Sequence, residues 1–425
     1  MESWRALFAS IPPFLGAGSA RSSGWPKEQP LKREKEILRE PPALACPENA
    51  GPALFPWPKL ERTHRMSTTS TEPTTQRMSA MYKAIQVTKP REFETVMKSL
   101  VDPDPGQVRI RVEACGVCHS DAGTVEGSFP IDWPRVPGHE VVGRIDAVGA
   151  GVQGWAVGQR VGVGFLGGSC GYCDLCRDGD LVNCRNQEFT GIHHDGGYAE
   201  VMIAKASGLM SIPNELSSAA AAPLLCAGLT TFNALRNAPA KAGDLVAVLG
   251  IGGLGHLGVQ YARHMGFEVV AIARGTDTAE LAKKLGAHHY VDSAATDPAE
   301  ALQALGGAKV ILITASGGKT VAETFKGLRP NGISVDVGVG PEPIEITSPD
   351  LIFGERKVAG SLTGNPATGD ATLRFSALSG VAAMIETVPL DQAAAAYAKM
   401  MAGEARLRMV LVTNNGAGQS APRHS

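Results

Sequence analysis

Between residues 82 and about 225 the chain alternates apolar and polar positions in short runs. QVRIRVEACGV, VVGRIDAVGAG, QRVGVGF and YAEVMIAKASGLMSI are β-rich stretches set apart by glycine and proline, the pattern of strands joined by turns. YKAIQVT reads as the first of them. From about residue 242 the rhythm changes. DLVAVLG leads into LGHLGVQYARHMG, then FEVVAIA, TAELAKKLGA and HHYVDS; AKVILITAS, TVAETFKGL and GISVDVGV continue the series. Strand-period runs alternating with helix-period runs predict a parallel sheet with crossover helices. After RKVAGSLTG the alternation lapses, and TLRFSALSGV, PLDQAAAAYAKMMAG and RLRMVLV form a tail expected to rejoin the first region. The fold class is α/β, a doubly wound parallel sheet beside a β-rich domain. The expected boundaries are 82–226 for the β-rich domain, 227–364 for the nucleotide-type sheet, 365–413 for the return and 414–425 for a frayed end.

Residues 1–81 follow neither pattern. Prolines from Pro12 to Pro73 interrupt any helix, and KREKE is a solvated charge run. Such a segment buries too little to offset its ordering entropy, so it reads as a disordered extension or linker. Arginine and serine near the start suit a mitochondrial presequence, but Pro12, Pro13 and Gly16 break the amphipathic helix it needs. A start codon placed upstream of Met66, Met78 or Met81 explains the segment as well. The expected compartment is the cytoplasm, with the mitochondrial matrix as the lesser alternative.

Composition narrows the partners. At 425 residues, 44% hydrophobic and 19% charged, with a net charge of −2, the chain has no electrostatic reason to bind nucleic acid or an acidic membrane. No apolar run approaches the roughly 20 residues that span a bilayer.

Four of the eight cysteines fall between Cys170 and Cys184, in CGYCDLCRDGDLVNC. Cysteines two residues apart pair poorly as disulfides, whereas four thiolates at about 2.3 Å complete a tetrahedral zinc. An iron–sulfur cluster also uses C-x2-C-x2-C, but the ferredoxin run continues x3-C-P; here seven residues intervene and no proline follows. Cys170, Cys173, Cys176 and Cys184 are therefore read as a structural zinc cage, with a cluster or redox disulfides as alternatives.

VLGIGGLGHLG places Gly250, Gly252 and Gly255 as G-x-G-x-x-G, with Gly253 and Leu254 inside it, between a predicted strand and a predicted helix. In that context backbone and helix N-terminus together favour a pyrophosphate. An acid is expected some twenty residues on to hold the ribose of NAD. VVAIARGTDT instead offers Ala273 and then Arg274, a guanidinium suited to a 2′-phosphate. NADP(H) is favoured; Asp277 is the residue that would serve NAD(H).

Three more residues have metal-ligand character at long spacing: Cys118 in GVCHSD, His139 in VPGHEVVG and Cys226 in PLLCAGLT. Two thiolates and an imidazole leave a fourth position open, as a catalytic zinc requires. Taken singly each is ambiguous, and Cys115 close by reads as a small core hydrophobe. Together with GHEVVGRIDAVGAGV, in which Gly138, His139, Glu140, Gly143, Gly149 and Val152 recur at zinc-signature spacing, they resemble the zinc-dependent alcohol dehydrogenases of the medium-chain dehydrogenase/reductase superfamily. The resemblance runs from about residue 82 to 413 and is nearest the cinnamyl-alcohol-dehydrogenase-like branch.

That resemblance implies a GroES-like catalytic domain around a Rossmann domain, two zinc ions per chain, and a homodimer or homotetramer. It implies that Cys118, His139 and Cys226 bind the catalytic zinc, with Glu140 behind the metal. Asp121 would orient His139, and Ser120 would relay the proton. His119 and Arg408 would approach the cofactor pyrophosphate, and Thr230 the nicotinamide side. The activity implied is hydride transfer between a primary alcohol or aldehyde, aromatic or medium-chain, and NAD(P). Phe129 and Trp133 are candidates for the pocket wall or for core packing. Two departures stand out: Gly123 replaces a histidine that ends the proton relay in many members, and Gln159 replaces an acid. The competing readings are a zinc-stabilised binding protein without activity and a zinc-free quinone or enoyl reductase.

Overall fold

The computed structural model describes residues 80–415; the expectations for the extension and most of the frayed end lie outside them. The chain opens with an antiparallel hairpin, β1 (Met81–Lys89) and β2 (Glu92–Ser99). The sequence pattern points only to β1, because β2 (EFETVMKS) has no fully buried residue, only Phe93 and Val96 packing partly on the core, and so carries little apolar alternation.

β3 (Gln107–Val117), β4 (Glu140–Val148), β5 (Arg160–Val163), β6 (Val201–Lys205) and β7 (Leu209–Ser211) follow. Next come α1 (Ala227–Asn237), β8 (Leu245–Leu249), α2 (Gly255–His264), β9 (Glu268–Ala273), α3 (Ala279–Lys284), β10 (His289–Asp292), α4 (Pro298–Ala304), β11 (Ala308–Ile313), α5 (Gly318–Phe325), β12 (Leu328–Asp336) and β13 (Lys357–Gly360). The chain ends with α6 (Pro366–Ser379), β14 (Ile385–Pro389), α7 (Ala393–Met401) and β15 (Arg408–Val412).

Two sheets dominate. One is wholly parallel in the order β10-β9-β8-β11-β12-β13. Its central strand LVAVL is buried throughout because both faces are covered. Val246 and Val248 join Leu257, Val259 and Tyr261 of α2 on one side. Leu245, Ala247 and Leu249 join Leu302, Val321 and Phe325 of α4 and α5 on the other. The sheet order reverses beside β8, so a crevice opens at the carboxyl ends of β8 and β11, where doubly wound sheets bind ligands.

The other sheet runs β14-β15-β3-β4-β5-β7, with β6 also on β3. β15 lies antiparallel to β3, Leu411 opposite Cys115, so the last strands complete the sheet begun near residue 107. Its core combines Val112, Cys115 and Val141 with Ala393, Ala396 and Met400 of α7. TLRFSALSGV of the tail forms most of α6, capped by Asn365 at one end and by left-handed Gly380 at the other. Among the described residues no single helix is long and apolar enough to cross a membrane.

Candidate active site and metal centres

β3 delivers Cys118 to the start of a single turn, His119–Asp121, where the Asp121 carboxylate accepts the Cys118 backbone N–H at 2.9 Å. Opposite, His139 precedes β4 and Glu140 begins it. Gly138 before them has φ +100°, and a Cβ there would lie 2.4 Å from the Tyr198 ring; only glycine fits that turn. Gly116 clears the space for Glu140, since a Cβ on it would stand 1.8 Å from Oε2. Cys226 sits at the bend between two helical segments, just ahead of α1. These elements bring ligand atoms of Cys118, His139, Glu140 and Cys226 within 4.8 Å of one another.

The two sulfurs are 3.9 Å apart, close to the about 3.8 Å that a tetrahedral zinc with 2.3 Å bonds would set between them. His139 Nδ1 pairs with Asp121 Oδ1 at 2.8 Å, and Tyr198 donates its hydroxyl to the other carboxylate oxygen at 2.9 Å. That arrangement leaves His139 Nε2 buried with no partner, and Glu140 Oε2 is likewise bare. Glu140 Oε1 accepts from Arg408, both side chains being buried. Two orphaned acceptors facing two thiols are costly in a dry site unless a cation meets them. The donor set fits zinc.

The protonation pattern agrees. Hydrogen bonding with Cys226 pulls the Cys118 thiol well below its ordinary value against the effect of burial, with His139 and Arg408 assisting. The same sulfur contact, with burial, pushes Cys226 well up. Burial works to lower His139, but Asp121 and Cys118 carry it well above the ordinary imidazole range. Burial raises Glu140 to about 7 despite Arg408. A dication entering here displaces protons.

The second group is local. Cys170, Cys173, Cys176 and Cys184 also converge within 4.8 Å, around the short helix Asp174–Arg177. Backbone N–H groups of Cys173 and Cys176 point at the sulfurs of Cys170 and Cys173, at 3.4 and 3.5 Å. The Asp174–Arg185 ion pair at 2.5 Å closes the loop. The seven described cysteines are unpaired, and the four converging sulfurs are an arrangement that could hold a metal ion.

At the sheet crevice, Gly255 passes so near Gly250 that a Cβ would meet its carbonyl oxygen at 1.7 Å, while a Cβ on Gly252 would meet nothing within 4 Å. The loop is thus tight against its own strand and open on its outer side. Arg408 lies against it, its Nη1 3.2 Å from where a Gly253 Cβ would be. Leu254 precedes α2, and Thr230 is buried one turn into α1. His119 and Ser120 are exposed beside the metal cluster. Ala273 closes β9, and Arg274 and Asp277 beyond it are both exposed.

Two family models match the chain: the alcohol dehydrogenase GroES-like domain over residues 104–214 and the zinc-binding dehydrogenase over residues 253–377. The alcohol dehydrogenase notN of Aspergillus sp. is 40% identical over 309 residues, covering 73% of this chain and 91% of that one. The chain belongs to the zinc-type alcohol dehydrogenases. Solved structures of a cinnamyl alcohol dehydrogenase from Sorghum bicolor and of CAD from Helicobacter pylori complexed with NADP(H) each match with a TM-score of 0.71 at 29% identity. Each covers 81% of this chain and 100% of its own. It is therefore an NAD(P)-dependent enzyme of alcohol and aldehyde chemistry, and the zinc-free reductase and inactive binding protein readings fall away.

In this alcohol dehydrogenase a row of aromatic rings packs beside His139 of the metal cluster. Phe165 stands edge-on to His139 at 5.1 Å and stacks on Phe189 at 4.7 Å, and Phe189 meets Phe129 edge-on at 6.2 Å. Trp133 is turned away, packed over Gly127 and donating to the Thr124 carbonyl at 3.2 Å; of its two candidate roles, core packing is the one its contacts describe. Gly123 is buried, and a Cβ there would fall 2.6 Å from the Phe129 ring. The Phe129 ring thus closes the position where the family resemblance leads one to expect a relay histidine. Sequence reasoning missed Phe165, Phe189 and Tyr198. Nothing in the pattern separates them from core residues; the room for the Tyr198 ring is made by Gly138, far from it along the chain.

Proposed function

We propose that this enzyme interconverts primary aromatic alcohols and their aldehydes, using NADP(H) in preference to NAD(H) and two zinc ions per chain. Cys118, His139 and Cys226 would hold the catalytic zinc with Glu140 behind it, and Cys170, Cys173, Cys176 and Cys184 the structural one. The observation that carries this reading is the buried quartet of two thiols, imidazole and carboxylate, with His139 Nε2 and Glu140 Oε2 unpartnered, opening beside exposed Ser120.

When bound, the zinc supplies Lewis acidity to the substrate oxygen and the nicotinamide accepts or donates the hydride. The chain does the rest. Asp121 fixes the His139 tautomer through Nδ1, keeping Nε2 free to bind. Ser120 takes the alcohol proton, or returns it to the aldehyde oxygen, within hydrogen-bond reach of the substrate. With Gly123 closed by Phe129, no side chain at that position carries the proton onward, and exposed Ser120 would hand it to water. Phe129, Phe165 and Phe189 exclude water and offer ring faces and edges, which favours a planar aromatic substrate over an aliphatic one of equal length. Gly250, Gly252, Gly253, Leu254 and Gly255 present backbone and the α2 N-terminus to the pyrophosphate, with His119 and Arg408 beside it and Thr230 toward the nicotinamide. Arg274 has no ion-pair partner among the described residues and would meet a 2′-phosphate.

Assembly as a dimer or tetramer is supported by the open edge at β13, where Ile352, Phe353, Val358 and Leu362 are exposed. Benzaldehyde, cinnamaldehyde and hexanal assayed with NADPH and NADH, on protein whose zinc has been counted, test the whole reading. Higher kcat/KM for the aromatic aldehydes with NADPH and two zincs per chain is the expected result. A preference for hexanal refutes the substrate class, and a preference for NADH refutes the role of Arg274.

A further inference from the structure

We propose that His256 is a positioning residue that fastens the nucleotide loop to the strand pair carrying Arg408, an inference that rests on reading Gly250–Gly255 as the cofactor loop. His256 is fully buried in the first turn of α2. Its Nδ1 pairs with the Gly252 carbonyl at 3.0 Å, which also accepts the His256 backbone N–H at 3.1 Å. Its Nε2 accepts the backbone N–H of Met384 at 3.2 Å, just ahead of β14 in the other sheet. Both bonds together require a neutral ring with its proton on Nδ1.

The chain of contacts continues. The Met384 carbonyl accepts the Arg408 backbone N–H at 3.1 Å, and the Arg408 guanidinium reaches Glu140 in the metal cluster. One turn along α2, Gln260 donates to the Ala382 carbonyl at 3.0 Å and accepts the Ala382 N–H at 3.2 Å. Two side chains spaced i and i+4 on one helix face thus hold residues 382–384 as a neighbouring strand would. Of the two, His256 alone also touches the loop. By tying back the Gly252 carbonyl it stops that oxygen from turning toward an anionic pyrophosphate, and it sets the loop in register with Arg408.

The test is titration of NADPH and NADH into zinc-loaded protein by cofactor fluorescence, alongside KM for the alcohol and zinc content. His256→Leu should weaken both cofactors about tenfold, the equivalent of one or two lost hydrogen bonds, with zinc content and alcohol KM little changed. His256→Asn, which reaches Gly252 but not Met384, should lose about threefold by the same reasoning; it carries the test if the leucine variant does not fold. Gln260→Leu breaks the grip on Ala382 without touching the loop, so it should lower the unfolding midpoint and leave cofactor affinity as it was. Wild-type affinity in both His256 variants, or an equal loss in Gln260→Leu, overturns the proposal. If the wild-type protein binds neither cofactor, the reading of the loop fails first and this inference falls with it.

Discussion

The buried ring of His256 makes a quantitative demand on the acid stability of the fold. Burial, with the charge of Arg408 nearby, depresses its pKa from 6.5 to about 4, although its bond to Gly252 acts the other way. In the unfolded chain the ring takes a proton near 6.5, whereas in the folded chain it resists protonation until about 4. The unfolded state therefore binds more protons through that window, and stability falls as pH falls. The contribution is complete above pH 6.5 and is lost progressively down to pH 4. A gap of some 2.5 units at 1.36 kcal/mol each amounts to about 3 kcal/mol. With a urea slope of about 3 kcal/mol/M for a chain of this size, the midpoint should drop by about 1 M. His256→Gln removes the titration while keeping an amide able to pair. Urea unfolding from pH 7.5 to 4, run in parallel on the two proteins, isolates the difference, because every other histidine and carboxylate is common to both. The wild-type curve should fall more steeply and cross toward the variant. Parallel curves across that range would refute the reasoning.

Tyr198→Phe removes one donor from Asp121, so zinc should leave to a chelator roughly tenfold faster, read with a colorimetric zinc indicator; an unchanged rate means Tyr198 is packing only. Gly123→His should introduce no new inflection in the kcat–pH profile and should raise KM for benzaldehyde, because the ring displaces Phe129; a gained inflection with KM intact shows that the position is open after all. Cys173→Ser should reduce bound zinc from two to one per chain and lower Tm by several degrees, measured by metal analysis and calorimetry; two zincs retained removes the cage from the metal inventory. Phe189→Ala should cut kcat/KM for cinnamaldehyde about tenfold, consistent with loss of ring stacking and buried area, while hexanal changes far less.

What the sequence discloses depends on how far apart the partners are. The cage cysteines lie within fifteen residues, so their spacing alone carries the chemistry. β8 and α2 are as plain, since a fully apolar pentad followed by a glycine loop and a helix-period run admits few alternatives. Cys118, His139 and Cys226 are far apart along the chain. Only resemblance joined them before the backbone of β3 and β4 placed them together. β2 escaped because none of its residues is fully buried, and Trp133 stayed ambiguous because an aromatic before a turn reads alike in a pocket and in a core. His256, Gln260 and Tyr198 left no trace, for their work lies in which backbone group each one meets. Gly123 was legible as a departure, but its cause, the Phe129 ring, belongs to three-dimensional packing.

The pairing of β15 with β3 has a consequence for biogenesis. Leu411 meets Cys115 across roughly three hundred positions, a closure that cannot form until both ends are available. During synthesis the sheet beneath the metal cluster therefore waits, short of an edge, while the nucleotide sheet between them is already complete. Arg408 arrives with β15, so Glu140 gains its counter-charge only when that strand docks on β3. The cluster of Cys118, His139 and Cys226 is then expected to mature after the nucleotide sheet has folded.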